Sequence, residues 1–149
     1  MSQQNVETVR ALYDAFNRGD VATLEKGFAR QFQRYEPESS LYAAGNPYRS
    51  FDELREGVYK QRARDFENFR SELEEALDAG DYVVTTGRNR GRSKATGKEL
   101  STQFCHVIHL DPDGKVDRFQ VYTDTLKEAE TVGRLQGAET PQARQPLPA

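Results

Sequence analysis

Two side chains in this sequence have the chemistry and the setting to move a proton. Asp124 ends the polar row Arg118, Gln120, Tyr122 and Asp124 in the run KVDRFQVYTDT, and His106 lies in FCHVIHL. In an apolar pocket, desolvation penalises a carboxylate and raises its pKa, which turns Asp124 into a base able to remove a proton beside a carbonyl. The same residue can instead cap the helix that follows it, where a carboxylate is favoured without any catalysis. His106 shares a strand face with Phe104 and Ile108. There a neutral imidazole is either an acid, base or hydrogen-bond donor to a developing oxyanion, or a core histidine held by a neighbouring hydroxyl or carboxylate. Tyr122 and Gln120 can donate to a ligand oxygen, and Arg118 can pair with Asp117, Asp111 or an anion; each is equally at home on an ordinary strand.

These residues need elements to hold them. Val6, Val9, Leu12, Tyr13 and Phe16 recur at helical spacing, which predicts a helix over about 5–17 that ends at Asn17-Arg18-Gly19. Asp20 caps a short second helix, and Phe32 and Tyr35 mark a short strand stopped near Pro37. Ser50 and Glu53 form a capping box for a third helix from Phe51, with Phe51, Leu54, Val58 and the stem of Arg62 on its apolar stripe. The second half alternates with period two. Turns at 78–81, 95–98 and 111–114 divide it into four strands that form an antiparallel meander, one face of which must be buried against the helices. Thr125 and Glu128 are spaced as a further capping box, opening a helix to about Leu135. One domain over 1–134 is expected, followed by a disordered, core-poor tail over 135–149.

Composition narrows the function. A net charge of -3 disfavours nucleic acid, which rewards clustered positive charge; the exception is Arg88, Arg90, Arg92, Lys94 and Lys98, read as a basic hairpin tip or an anion-binding surface. No run approaches the ~18 apolar residues of a membrane span, so no membrane is expected, and the cytoplasm is the simplest address. Cys105 is the single cysteine. The two histidines, His106 and His109, point to opposite strand faces, so no metal centre and no cofactor are expected. The stretch 91–98 has the wrong spacing for a phosphate loop.

VRALYDAFNRGDVATL near the start and ATGKEL with FCHVIHLDPDGKVDRFQVYTDT near the end resemble the SnoaL-like, ketosteroid-isomerase-related branch of the NTF2-like superfamily. The resemblance implies an α+β, cone-shaped barrel: a curved antiparallel sheet packed on three N-terminal helices and enclosing a cavity, with the outer sheet face forming a homodimer. It implies Asp124 as base and His106 as its assistant, and points Gln120, Tyr122 and Asp124 into the cavity, leaving Phe119, Val121 and Thr123 outside to meet a partner. Tyr13 is the position matching the helical tyrosine of the steroid isomerases. Where many relatives carry a tryptophan in the early strand, this chain reads FQRYEP, with Tyr35 as its nearest aromatic.

Two functions follow. One is cofactor-independent proton transfer of the isomerase, cyclase or dehydratase type on a small hydrophobic or carbonyl-containing molecule. Asp124 and His106 would be catalytic, and Tyr122, Gln120, Tyr35, Tyr59, Phe104 and Tyr13 would contact the ligand. The other is a non-catalytic binding or dimeric accessory domain, recognised by a pocket plugged by Tyr35, Tyr42 or Tyr48, or by an Asp124 tied up by Arg118 or the final helix.

Overall fold

The computed structural model describes residues 2–134, so the tail expected at 135–149 lies outside the described residues. Helix α1, Ser2–Arg18, turns the stripe Val6, Val9, Leu12 and Tyr13 into the core. It stops at Gly19, whose φ of 76° lets the Asp20 amide bond back to Ala15. Asp20 then caps α2, Val21–Lys26, by accepting from the Thr23 amide and hydroxyl. Strand β1 follows at Phe28–Tyr35.

The third helical stretch comprises α3, Phe51–Leu54, a π-helical turn, Arg55–Tyr59, and α4, Lys60–Asp65. Ser50 accepts from the Glu53 amide as its spacing predicts, while the Glu53 carboxylate reaches the Arg49 amide. Within the π turn only glycine fits at 57, because a Cβ there would lie 2.4 Å from the Tyr48 ring. Four strands then form the expected meander: β2, Phe66–Ala79; β3, Tyr82–Ser93; β4, Glu99–Leu110; and β5, Val116–Thr123. Helix α5 occupies Thr125–Thr131.

The sheet is curved and unclosed, and it has five strands rather than four. β1 is longer than its sequence suggests and joins the meander as a parallel edge strand beside β5, giving the order β1-β5-β4-β3-β2. Val83, Phe104, Ile108 and Val116 pack between the sheet and the helices with Val9, Leu54 and Val58. Each such burial stabilises the fold by about 1.5–3 kcal/mol before entropy is counted. Asn17 ties the end of α1 to the sheet, exchanging hydrogen bonds of 2.8 and 2.9 Å with the backbone of Ser71.

The pairing of β4 with β5 corrects the orientation expected for the last strand. Residues directly opposite across an antiparallel pair share a face. His106 faces Val121 and Cys105 faces Tyr122, so an inward His106 requires an inward Val121 and an outward Tyr122. Phe119 and Val121 are accordingly buried, while Gln120 and Tyr122 lie on the outer face. A register shift beside Leu110 resets the alternation, which is why Val116 is also buried although its parity differs from that of Phe119. A homodimer through the outer face would therefore rest on residues such as Val84, Val107 and Tyr122, not on Phe119 and Val121.

Asp124 is the N-cap of α5: its Oδ1 accepts from the Lys127 amide at 3.1 Å. Thr125, expected as the cap, is the first helical residue, and Glu128 is buried rather than reaching back to close a capping box. Asparagine caps about as well as aspartate and alanine does not. Asp124→Ala is therefore expected to lower the unfolding free energy by about 1 kcal/mol, and Asp124→Asn by a few tenths at most. Urea unfolding of both variants measures this, and equal losses would contradict the capping role.

Candidate functional site

The concave face of the sheet and the helices over it enclose a cavity of about 50 Å³. Helix α1 contributes Tyr13 and Phe16, β1 contributes Phe28 and Arg34, and the π turn and α4 contribute Tyr59 and Arg62. The sheet contributes Ser71, Asn89, His106, Phe119 and Val121. A void of this size holds only a few heavy atoms.

His106 is fixed through a chain of hydroxyls. Its Nδ1 hydrogen-bonds the Tyr13 hydroxyl, which lies 2.7 Å from Thr85 Oγ1, and all three residues are buried. Proton counting selects the direction of the chain. If Thr85 donates to Tyr13 and Tyr13 donates to Nδ1, both hydroxyl protons are used and the imidazole keeps its proton on Nε2. The reverse direction leaves the Thr85 proton without an acceptor among the described residues. The favoured tautomer is thus Nε2–H, with that nitrogen free to serve a guest in the cavity. Burial holds the His106 pKa well below its ordinary 6.5, and the nearby Arg34 and Arg62 charges push it the same way, so the ring is neutral. Burial likewise raises the Tyr13 pKa and keeps its proton in place.

Beside His106 lies a buried ion cluster. Glu36, 1% exposed, receives Arg34 Nε at 2.9 Å and Arg34 Nη2 at 2.8 Å on one carboxylate oxygen; Arg62 Nη2 stands 3.5 Å from the other. The Arg34 guanidinium lies 4.3 Å over the Phe119 ring, and that of Arg62 lies over Tyr42 and Phe69 at 4.9 and 4.6 Å. The Asn46 side chain fixes the Glu36 backbone through two 2.8 Å bonds. Across the cavity Ser71 Oγ donates to Asn89 Oδ1 at 2.7 Å, which orients the Asn89 amide.

Of the residues expected at the site, His106, Tyr13 and Tyr59 line the cavity. Phe104 stacks behind them, its ring 4.3 Å from His106 and 5.9 Å from Tyr13. The others are elsewhere. Tyr35 packs against Arg118 on the outer face, the Gln120 amide bonds the Val121 carbonyl, Tyr122 is exposed, and Asp124 belongs to the α5 cap. The cavity lining contains histidine, arginine, asparagine and hydroxyl groups but no aspartate or glutamate. Sequence reasoning missed Arg34, Glu36, Thr85 and Asn89. Phe32, Arg34 and Glu36 share one parity, and that phase was the signal: an inward Phe32 carries the other two inward with it.

The second histidine behaves oppositely. On the outer face His109 Nδ1 lies 2.5 Å from Asp117 and its Nε2 3.2 Å from Asp81. The Asp117 bond holds its pKa above 6.5, against partial burial and with help from Asp81. A lowered folded pKa means that the unfolded chain binds the extra proton first, so the His106 contribution is complete above about 6.5 and is lost as pH falls below it. A raised one works in reverse: the His109 contribution is complete below about 6.5 and is lost as pH rises through the folded value. Urea unfolding followed from pH ~5 to ~8 is expected to lose its acid-side limb in His106→Phe and its alkaline-side limb in His109→Asn. Unchanged limbs in both variants would contradict these environments.

The sequence matches the SnoaL-like domain family over residues 9–119. An NTF2-like protein from Burkholderia thailandensis is 30% identical, with 95% of this chain and 98% of that one covered and a TM-score of 0.78. IdmH from Streptomyces antibioticus, a proposed polyketide cyclase, is 22% identical over 87% of this chain and 99% of its own, with a TM-score of 0.73. TerC, co-crystallised with polyporic acid, is also 22% identical, over 86% and 97%, with a TM-score of 0.77. At that identity the last two attest to the fold alone. No curated protein matches the sequence. With the family match spanning most of the chain and the Burkholderia protein nearly all of it, this chain belongs to the SnoaL-like family of NTF2-like proteins.

Proposed function

We propose that the cavity binds a small molecule through a carbonyl or other oxygen acceptor, received by His106 Nε2–H and Arg34 with Asn89 opposite. The observation that carries this reading is the Thr85, Tyr13 and His106 chain, which holds a neutral imidazole beside a buried guanidinium. Donors fixed in a dry site polarise an oxygen more strongly than they would in water, because they need not reorganise to do so. Aromatic walls from Phe16, Phe28, Tyr59 and Phe119 give the oxygen-bearing end of such a ligand an apolar surround.

Proton transfer of the isomerase, cyclase or dehydratase type is a second reading, favoured by the same hydroxyl chain. A neutral imidazole backed by two hydroxyls can hydrogen-bond from Nε2–H to an enolate oxygen and stabilise its developing charge while keeping its proton. It differs from the mechanism expected from sequence, because Asp124 is outside the cavity and no lining carboxylate replaces it as base. The acidic proton would then have to leave to solvent or to the ligand itself. Binding with polarisation is the function the geometry supports best.

The test is a titration of cyclic ketones and hydroxyquinones by calorimetry in all three proteins, with the His106 ring signals followed by NMR in the wild type. Wild type is expected to bind with a shift at His106. His106→Phe is expected to weaken binding by about tenfold, the worth of one hydrogen bond. His106→Gln, whose amide nitrogen can occupy the Nε2 position, is expected to recover part of the loss. Ligands that perturb only the outer sheet face, or equal affinity in all three proteins, would overturn the proposal.

A further inference from the structure

The cavity has a second compartment. A hollow of about 330 Å³ lies next to it, walled by Val21, Ala63, Phe66 and Phe69 among others. The two share Phe16, Leu24, Tyr59 and Arg62, so these four side chains form the partition between them. Phe16 and Tyr59 make most of it as a tilted ring pair with centroids 5.5 Å apart. Tyr59 closes the π-helical turn, and single π turns of this kind recur where a helix must place a functional side chain. The outer hollow is mainly apolar; the inner cavity carries the donors.

Charge distinguishes the compartments further. Arg34 and Arg62 both face the single carboxylate of Glu36. Two other carboxylates lie near Arg62, and neither forms an ion pair with it. Asp65 is engaged by Arg134 at 2.7 Å and by the Tyr42 hydroxyl at 2.9 Å. Glu128 is buried with neither oxygen hydrogen-bonded and makes no ion pair with Arg62; burial raises its pKa, and the Arg62 charge works against that rise. His106 adds no charge of its own. Among the described residues Glu36 is thus the one carboxylate in ion-pair contact with either arginine of the cavity wall, and the Nε of Arg62, a residue 8% exposed, has no acceptor. A buried donor of this kind is costly to leave unmet.

We propose that the ligand is a monoanion with a compact oxygen-bearing head and a flat apolar body, the head entering the inner cavity beside Arg34 and Arg62 and the body resting in the outer hollow. This rests on the reading of the cavity as a binding site and adds the charge and shape of what it takes. The size of the inner cavity admits a carboxylate or an ionised enol but not a fused ring system, while the outer hollow is roomy enough for a ring. Phe16 and Tyr59 are then the specificity-determining residues, because they line both compartments and the link between head and body must run alongside them.

Three probes separate the possibilities: 3-phenylpropionate, its neutral near-isostere 4-phenylbutan-2-one, and acetate as the head alone. Each is titrated at low ionic strength by calorimetry and by NMR at His106. The carboxylate is expected to bind at least ~10-fold tighter than the ketone. Val21 and Ala63 are exposed residues of the outer hollow, so Val21→Trp and Ala63→Phe can fill it without disturbing the core. Both variants are expected to lose at least ~10-fold for 3-phenylpropionate while the acetate response at His106 stays unchanged. Equal or tighter binding of the ketone would overturn the monoanion and leave the cavity standing as a site for neutral carbonyls. Undiminished binding of 3-phenylpropionate in both filled variants would overturn the placement of the body. No response at His106 to any of the three would overturn both this inference and the binding function beneath it.

Discussion

The carboxylate of Glu36 is the constraint on which the interior depends. It lies one residue beyond β1 and meets a guanidinium from β1 and another from α4, so the edge strand and the helix over it are fastened at one buried point. Removing one member of such a cluster strands a buried charge at a cost of about 3–5 kcal/mol, yet replacing the whole cluster with well-packed apolar residues is often neutral or stabilising. Stability alone therefore gives little reason to keep two cations and one anion beneath a sheet. A reason does follow from position: both arginines line the cavity, Arg34 lies over Phe119, and their field helps keep His106 neutral. The ion cluster fastens the cone and sets the electrostatics of the space inside it.

The imidazole is the complement to that cluster. Burial disfavours a protonated His106, and the neighbouring Arg34 and Arg62 charges disfavour it further. Tyr13 and Thr85 satisfy Nδ1 from behind, leaving Nε2 for a guest. The interior is thus rich in donors and poor in bases, which describes a place for an oxygen acceptor better than a place for removing protons. The unpaired oxygens of Glu128 sit outside the cavity lining, under α5, and do not alter that balance.

Much of the fold was legible because it is written locally. The stripe Val6, Val9, Leu12 and Tyr13 forms α1, Asp20 caps α2, Ser50 caps α3, and the strand read at Glu99–Leu110 has those same ends in the structure. His106 faces inward because Phe104 and Ile108 share its side of the strand. Apart from the one-residue shift of the α5 cap from Thr125 to Asp124, the misreadings are non-local. Which face of β5 turns inward depends on its partner in β4 and on a register shift that alternation within one strand does not reveal. β1 joins the sheet by pairing with a strand more than eighty residues away, so Tyr35 was taken for the inward aromatic when Phe32 and Arg34 hold that phase. A buried arginine is uncommon enough to be passed over until its counter-ion, here two residues on, is recognised. Asp124 carried two readings on sequence alone, and the backbone at the start of α5 selects the cap.

The most direct test of the central claim, that the donors of His106 and Arg34 converge on one ligand oxygen, is a crystal structure of the protein with 3-phenylpropionate bound. A carboxylate oxygen is expected within about 3 Å of both His106 Nε2 and an Arg34 nitrogen, under the concave face of the sheet. A ligand seated instead on the outer face beside Tyr122 and Asp124, with the inner cavity filled by rearranged side chains, would contradict it.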